Sequence, residues 1–498
     1  MPMNENQTTK NAKRKRRFRL PSFGLRFLFV LILIAAGSLG YLIPKMEEAQ
    51  REKESLDWMA AHVTPFAGQI GYQASFDFEF DETARAPYGP AIIRKLCGEF
   101  VFSRVKTIRI VTPSYTEPLA SENEAIEFHK ELFEAIETFD DLTGLEFYFL
   151  RSERNFKRLA KSSNLRTLSL KHIKWMTDIS DISKLQKLEE LELDGGSFQS
   201  VDAIGQLGQL KKLTIDHCLK IADASALANL TQLEHLQLSY NPSLEDFGFL
   251  AKLKNLKSLT LKTYKTYPRA SEFDMSVLAN CKKLQKLEIL YFEEVKNPQT
   301  IKHLTSLVSL NLFGTHSLES LDGFESLSNL QELFLNENFI LNDIEAIREL
   351  TGLRTLSLNG CFHLHDVEPI KNLNQLDLLR LGGSSEIADL RVIENLKMLE
   401  VLALKHFPAL EDISALANLN LQRLTIELCP KVTSLKPLNQ LPKLRKLVVE
   451  ECEGLRNLDG IGATPNLEHI AFFDCRNLVD VNALKDLKNR KPAFYWPD

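Results

Sequence analysis

Seven cysteines lie in the 498 residues, and five of them share one register. Cys218, Cys361, Cys429, Cys452 and Cys475 each fall eight residues after a leucine that opens an LxxLxL run, and Asn241 and Asn338 hold the same place. Regularly spaced thiols could be metal ligands or disulfide partners. Side chains stacked in a ladder, however, run parallel instead of converging, and a disulfide needs specific geometry. The spacing therefore predicts small buried fillers, with Cys97 and Cys281 outside the register and free. Eight aspartates, Asp178, Asp223, Asp246, Asp343, Asp366, Asp389, Asp412 and Asp480, lie thirteen residues after such leucines. Such a row could suggest calcium, but a carboxylate accepting a backbone N–H as the N-cap of a short helical turn accounts for it more simply. His363 and His365 with Asp366, and His217 beside Cys218, imitate a metal site without zinc spacing or a second ligand pair. No glycine-rich phosphate loop, HExxH, nucleophile elbow or kinase signature occurs. The expectation is no enzyme: no catalytic residue, no cofactor and no metal.

The elements that position these residues repeat. LxxLxL opens at Leu165, Leu188, Leu210, Leu233, Leu256, Leu284, Leu307, Leu330, Leu353, Leu376, Leu399, Leu421, Leu444 and Leu467. The intervals are 22 or 23 residues, except for one of 28 after Leu256. The alternation in LxL has period two, so both leucines point to one side of a short strand. Later apolar residues, such as Ile413, Leu416 and Leu419, bring a second segment back over the same interior. One coil cannot bury its own leucines, whereas a stack of coils buries them all. The expected fold is an α/β solenoid with a curved parallel sheet on its concave face, about 65 Å long for fourteen strands at ~4.8 Å each.

Two earlier segments, Val105–Ile108–Ile110 and Leu145–Tyr148–Leu150, show the same apolar spacing and are expected to extend the sheet. Between them Ile126, His129, Leu132, Phe133 and Ile136 fall at helical spacing behind a capping box of Ser121 and Glu124. The division is a basic tail (1–26), an apolar segment (27–43), a charged helical stalk (44–62), an N-terminal cap (63–145), the repeats (146–487) and a C-terminal cap (488–498).

Residues 1–26 carry eight Lys or Arg against Glu5, a net +7, which leaves −12 for the rest of a chain whose total is −5. An acidic body argues against a nucleic-acid partner, which would need a basic face. Seven cysteines are too few, and odd in number, for a disulfide scaffold. Residues 27–43 hold no charge and would span ~25 Å as a helix, at the short end of what crosses a bilayer. Arg26 can snorkel to the interface. Positive charge on the N-terminal side places the tail in the cytoplasm and everything after about residue 44 outside. A cleaved signal peptide is the competing reading, since Ala35 and Gly37 loosely fit a cleavage site. The long basic run and the apolar residues continuing to Ile43 favour a retained single-pass helix whose partner is the lipid bilayer.

The repeating LxxLxLxx(C/N)xxLxDIxxLxxL unit, as in LRTLSLNGCFHLHDVEPIKNL from Leu353, resembles that of leucine-rich repeat proteins over about two thirds of the chain, and its DIxxLxxL portion resembles internalin-like repeats. The order of basic anchor, stalk, Trp58, Gly68–Tyr72 and Leu96–Val105 resembles bacterial membrane-anchored leucine-rich repeat proteins of planctomycete type, although Gly68–Tyr72 lacks the paired glycines of that group. The resemblance implies a binding scaffold in the envelope, with the repeats periplasmic or extracellular, and no chemistry.

In each unit the residues two, four, six and seven places after the opening leucine are expected to face solvent. Most are polar, such as Lys212, Thr214 and Asp216. The middle units depart from this: Tyr240, Leu290, Tyr291, Phe313 and Phe334 occupy such positions, with Asn336, Asn359 and Arg380 close by. Clustered exposed aromatics mark interaction sites. Glu427, Glu450, Glu451 and Asp474, with Phe473 and His469, form a second, acidic strip. The long unit's loop, Thr263 to Ser271, carries Tyr264, Tyr267 and Arg269. The sequence thus predicts capture of a protein or peptide on the concave face; a purely structural spacer or crosslinker of the envelope is the alternative.

Overall fold

The structure, a computed structural model, describes residues 164–265 and 271–484 continuously, with shorter stretches at 50–51, 53–55, 57, 76–80, 105–111, 131–139, 141–148, 157–159 and 493–495. The expected membrane segment 27–43 and Cys97 lie outside the described residues. Among the residues that are described, no helix is long and apolar enough to cross a membrane.

Described strands build one 18-stranded sheet, in which each unit's strand lies parallel to the next. Val105–Val111 pairs with Gly144–Tyr148, that strand with Thr167–Lys171, and the series continues to His469–Phe473 and Ala493–Tyr495. The single antiparallel neighbour, Phe76–Phe80, covers the outer edge of Val105–Val111. A sheet edge left open would offer its unpaired N–H and C=O groups to another chain.

The register corrects one expectation. Ile108 and Ile110 align with Leu145 and Phe147, which align with Leu168 and Leu170. The opening residue of that unit is therefore Leu142, not Leu145, and Tyr148 is half-exposed while Leu142, Leu145 and Phe147 are buried. Two apolar triplets three residues apart fit this stretch, and only pairing with Thr167–Lys171 chooses between them. On the cap helix, Leu132, Phe133 and Ile136 are buried as expected, and Phe133 packs on Phe147 with ring centroids 5.4 Å apart. The stalk is helical at 50, 51, 53–55 and 57 and touches the cap, where Thr138 Oγ1 donates to Ser55 Oγ at 3.0 Å.

Strand residues alternate as period two requires: in Thr167–Lys171 only Leu168 and Leu170 are buried. Burying each such leucine contributes about 1.5–3 kcal/mol. In the thirteen coils opening at Leu165 to Leu444 the return half is not α-helical, which corrects the α/β expectation there; short α-helical stretches stand at 157–159 and 483–484. That return half is a single 3₁₀ turn, as in Ser180–Lys184, Ser225–Asn229 and Ser414–Asn418. All eight aspartates accept a backbone N–H two residues on, from Asp178 Oδ1 with Ser180 N (2.8 Å) to Asp480 Oδ1 with Asn482 N (2.9 Å). Seven of them, all but Asp480, sit one place before the helical N-cap, which is Ile179 in the first case and carries no side-chain bond. The carboxylate closes an Asx turn that aims the chain into the helix.

At the seventh position after the opening leucine, thirteen of the fourteen units adopt positive φ: glycine at 195, 314, 360 and 383, and His172, His217, Tyr240, Tyr291, Glu337, His406, Leu428, Glu451 and Asp474 elsewhere. This left-handed residue turns the chain from the strand so that the eighth side chain points inward. Only the 28-residue unit, with Thr263 there, lacks it.

Candidate functional site

The six described cysteines are free. Cys361 Sγ donates to Leu335 O at 3.3 Å and Cys218 Sγ to Asp216 O at 3.4 Å. Burial pushes the thiols of Cys218 and Cys361 up to about 12 and that of Cys281 up to about 11. Cys452 is raised by its hydrogen bond with Cys429 and by burial. Protonated, hydrogen-bonded thiols in an apolar interior are fillers, not nucleophiles. Among the described residues no group of three His, Cys, Asp or Glu side chains could hold a metal.

On the concave face the polar residues of the first units satisfy one another. Lys171 Nζ reaches Glu146 at 3.1 Å and Glu192 at 3.3 Å, and Ser169 Oγ donates to Glu192 at 2.7 Å. Burial works against the charge of Glu146, yet hydrogen bonds from Arg109 and Lys171 hold its carboxyl below the usual range. Asp216 is raised by burial while accepting Gln237 Nε2 at 2.8 Å and Ser239 N at 3.1 Å. Further along, Lys405 pairs with Glu427 at 2.5 Å, and burial followed by the charges of Glu427 and Glu451 raises Glu450.

The middle units differ. Tyr291 and Phe313 meet edge to face with centroids 5.2 Å apart. Phe334 stands on the next strand, in register with Asn311 on one side and Ser357 on the other, and Arg380 follows Ser357. Leu290 ends the strand paired with Ser258–Lys262. All eight predicted contact residues are half-buried. Asn336 has a scaffold duty: its Oδ1 accepts Ser357 Oγ at 2.6 Å and Asn359 N at 3.0 Å. Tyr240 stands apart, two units before Tyr291, stacked on His217 at 4.6 Å and against Tyr264 at 4.8 Å, with Lys262 Nζ 4.9 Å from its ring.

Three buried side-chain atoms among the described residues have no hydrogen-bond partner: Asn311 Oδ1, Asn359 Oδ1 and His316 Nδ1. All three belong to the units opening at Leu307 and Leu353, on either side of Phe334. An unmet buried acceptor costs about 1–3 kcal/mol. Arg380 also forms no ion pair among the described residues. Unused acceptors, an unused guanidinium and aromatic rings thus lie together where the flanking units have closed ionic lattices.

A neighbouring row was missed from sequence. His316, Phe339 and Phe362, each nine residues after its leucine, stack along the rim with centroids 4.8 and 5.5 Å apart, and Phe339 and Phe362 stay 36% and 44% exposed. Their shared register is the signal that could have found them. Between this row and the concave face the seventh position is glycine at 314 and 360, both with positive φ, and Glu337 on the unit between them. Lys265, from the long unit's loop, reaches across to Glu337 at 2.8 Å.

Residues 126–359 match the family model described as leucine-rich repeat region. A leucine-rich repeat protein of Leptospira interrogans aligns at 21% identity over 77% of this chain and 100% of its own, with a TM-score of 0.59. An internalin of Listeria monocytogenes aligns at 19% identity over 69% of this chain and 86% of its own, with a TM-score of 0.43. A plant peptide hormone receptor solved with its peptide aligns at 15% identity over 75% of this chain and 69% of its own, with a TM-score of 0.42. At these identities the likeness is one of fold. No curated protein matches the chain significantly.

Proposed function

We propose that this leucine-rich repeat solenoid captures an extended polypeptide segment across its concave face, between the units opening at Leu284 and Leu376. The observation that carries the reading is the coincidence of Tyr291, Phe313 and Phe334 with unmet hydrogen-bond capacity of both signs. Asn311 and Asn359 are half-buried amides two strands apart, about 10 Å across the sheet, whose covered oxygens a ligand meets only if the amides turn outward, and Arg380 offers donors. A peptide main chain supplies N–H and C=O groups in alternation, and its side chains can pack on the rings. Rigid presentation by a sheet keeps the ordering cost of binding low. The segment 27–43 would hold this surface outside the cytosol of a bacterial cell, with the repeats periplasmic or extracellular.

The test uses the intact chain in its native envelope, with a photoreactive residue at position 313. We expect a crosslinked adduct that Phe334→Glu and Arg380→Glu abolish and that Thr214→Glu, in the ionic half of the sheet, leaves intact. An adduct indifferent to all three substitutions would refute the assignment. Envelope spacing that changes when whole units are removed, with every surface substitution silent, would favour the spacer reading instead.

A further inference from the structure

In the regular units the eighth residue fills the interior just beyond the strand: Asn241 and Phe292 do so on either side of the 28-residue unit. In that unit the eighth residue is Tyr264, and it turns outward to pack on Tyr240 at 4.8 Å. The cause is the missing left-handed residue. Thr263 keeps the strand direction, with its N–H bonded to Leu290 O at 3.1 Å, and Glu272–Asp274 pairs with Glu294–Lys296 as a separate two-stranded sheet. The interior therefore has a vacant place between the coils of Asn241 and Phe292.

That place is a cavity of about 420 Å³. Its apolar lining is Leu238, Leu244, Phe247 and Phe292, with Asn241 and Glu245 beside them. Leu238 is 4% exposed and Leu244 8%, whereas their counterparts Leu312 and Leu341 in regular units are at 0%. Polar groups stand at the mouth, where Thr263 and Ser271 present hydroxyls. The charges there are already engaged: Glu272 with Lys296 at 2.5 Å, and Lys262 over the ring of Tyr240 at 4.9 Å. The apolar part of the lining offers water no hydrogen bonds, and an engineered apolar cavity of only ~150 Å³ binds benzene. A larger space with paired charges and hydroxyls at its rim, that of Ser271 donating to Tyr291 O at 3.4 Å, suits a flat aromatic ring carrying one uncharged polar group.

We propose that this gap in the inward ladder is a binding site, separate from the concave patch, for an indole or phenol ring. The ring can come from a small molecule or from a tryptophan or tyrosine side chain of a partner. In the test, the full chain carrying methyl-labelled leucine is titrated with indole, p-cresol and N-acetyl-tryptophanamide. Saturable shifts centred on the methyls of Leu238 and Leu244 are expected. They should weaken at least tenfold in Leu244→Trp, which fills the space from within, and persist in Leu244→Ala, which enlarges it. Binding of indole and p-cresol alone identifies a small-molecule site, and binding of the capped amide as well identifies a side-chain socket. Absence of saturable shifts with every probe, or shifts centred away from Leu238 and Leu244, overturns the proposal even if Leu244→Trp fails to fold.

Discussion

Asn338 provides the sharpest test of how the inward ladder is held together. Its side chain is fully buried; Nδ2 donates to Leu312 O and Leu335 O, both at 2.8 Å, and Oδ1 accepts from Thr315 Oγ1 at 2.6 Å. Asn338→Ala removes these three hydrogen bonds, at about 1 kcal/mol net each, and a long fourth to Asn336 O at 3.4 Å, for a total of about 3 kcal/mol. The loss stays near that figure because both carbonyls keep a second donor: Thr315 Oγ1 lies 3.2 Å from Leu312 O, and Cys361 Sγ lies 3.3 Å from Leu335 O. Asn338→Cys should cost less, since its thiol can donate to Leu312 O as Cys361 does to Leu335 O. Asn338→Asp, nearly identical in shape, should cost more than alanine at neutral pH, because it aims a buried charge at two carbonyls. Amide exchange of the full chain at Leu310 and Leu333 is the suitable assay, since solenoids open locally. Aspartate no worse than alanine, or cysteine as costly as alanine, would refute the account.

Two further outcomes follow from the coil geometry. Glu451 is exposed and holds φ 49°, a conformation that costs a side-chain-bearing residue about 1–2 kcal/mol; Glu451→Gly should therefore raise the thermal midpoint, while Lys446→Gly within the neighbouring strand should lower it, and equal effects would contradict the assignment. The Asx-turn carboxyls of Asp178 and Asp223 are held below their ordinary value by the backbone N–H groups of Ser180 and Ser225, and that of Asp389 by the Arg391 side chain. A carboxyl depressed in the folded state stabilises above its unfolded pKa of about 3.9, and this stabilisation is lost as pH falls through the lower folded value. Melting temperature should accordingly fall below about pH 4, and less steeply when Asp178, Asp223 and Asp389 are replaced by Asn.

Much of this architecture is written in one dimension. Leucine spacing of 22 or 23 residues dictates a stack of coils, because no single coil can cover its own apolar residues, and period-two alternation tells which side of each strand is interior. The aspartate and cysteine registers disclose the turn and the filler in the same way, since each is a local chemical demand met once per coil. Four features needed the folded chain. The strand at Gly144–Tyr148 fits two apolar triplets, and only its neighbour fixes which one is buried. The left-handed residue at the seventh position is held by glycine, histidine, tyrosine, glutamate, leucine and aspartate alike, so residue type does not announce it. The unfilled interior beneath Tyr264 and the unmet acceptors around Phe334 are properties of what adjacent coils fail to supply. Periodicity records the demand each coil makes on its neighbours; whether a particular neighbour meets it is decided in three dimensions.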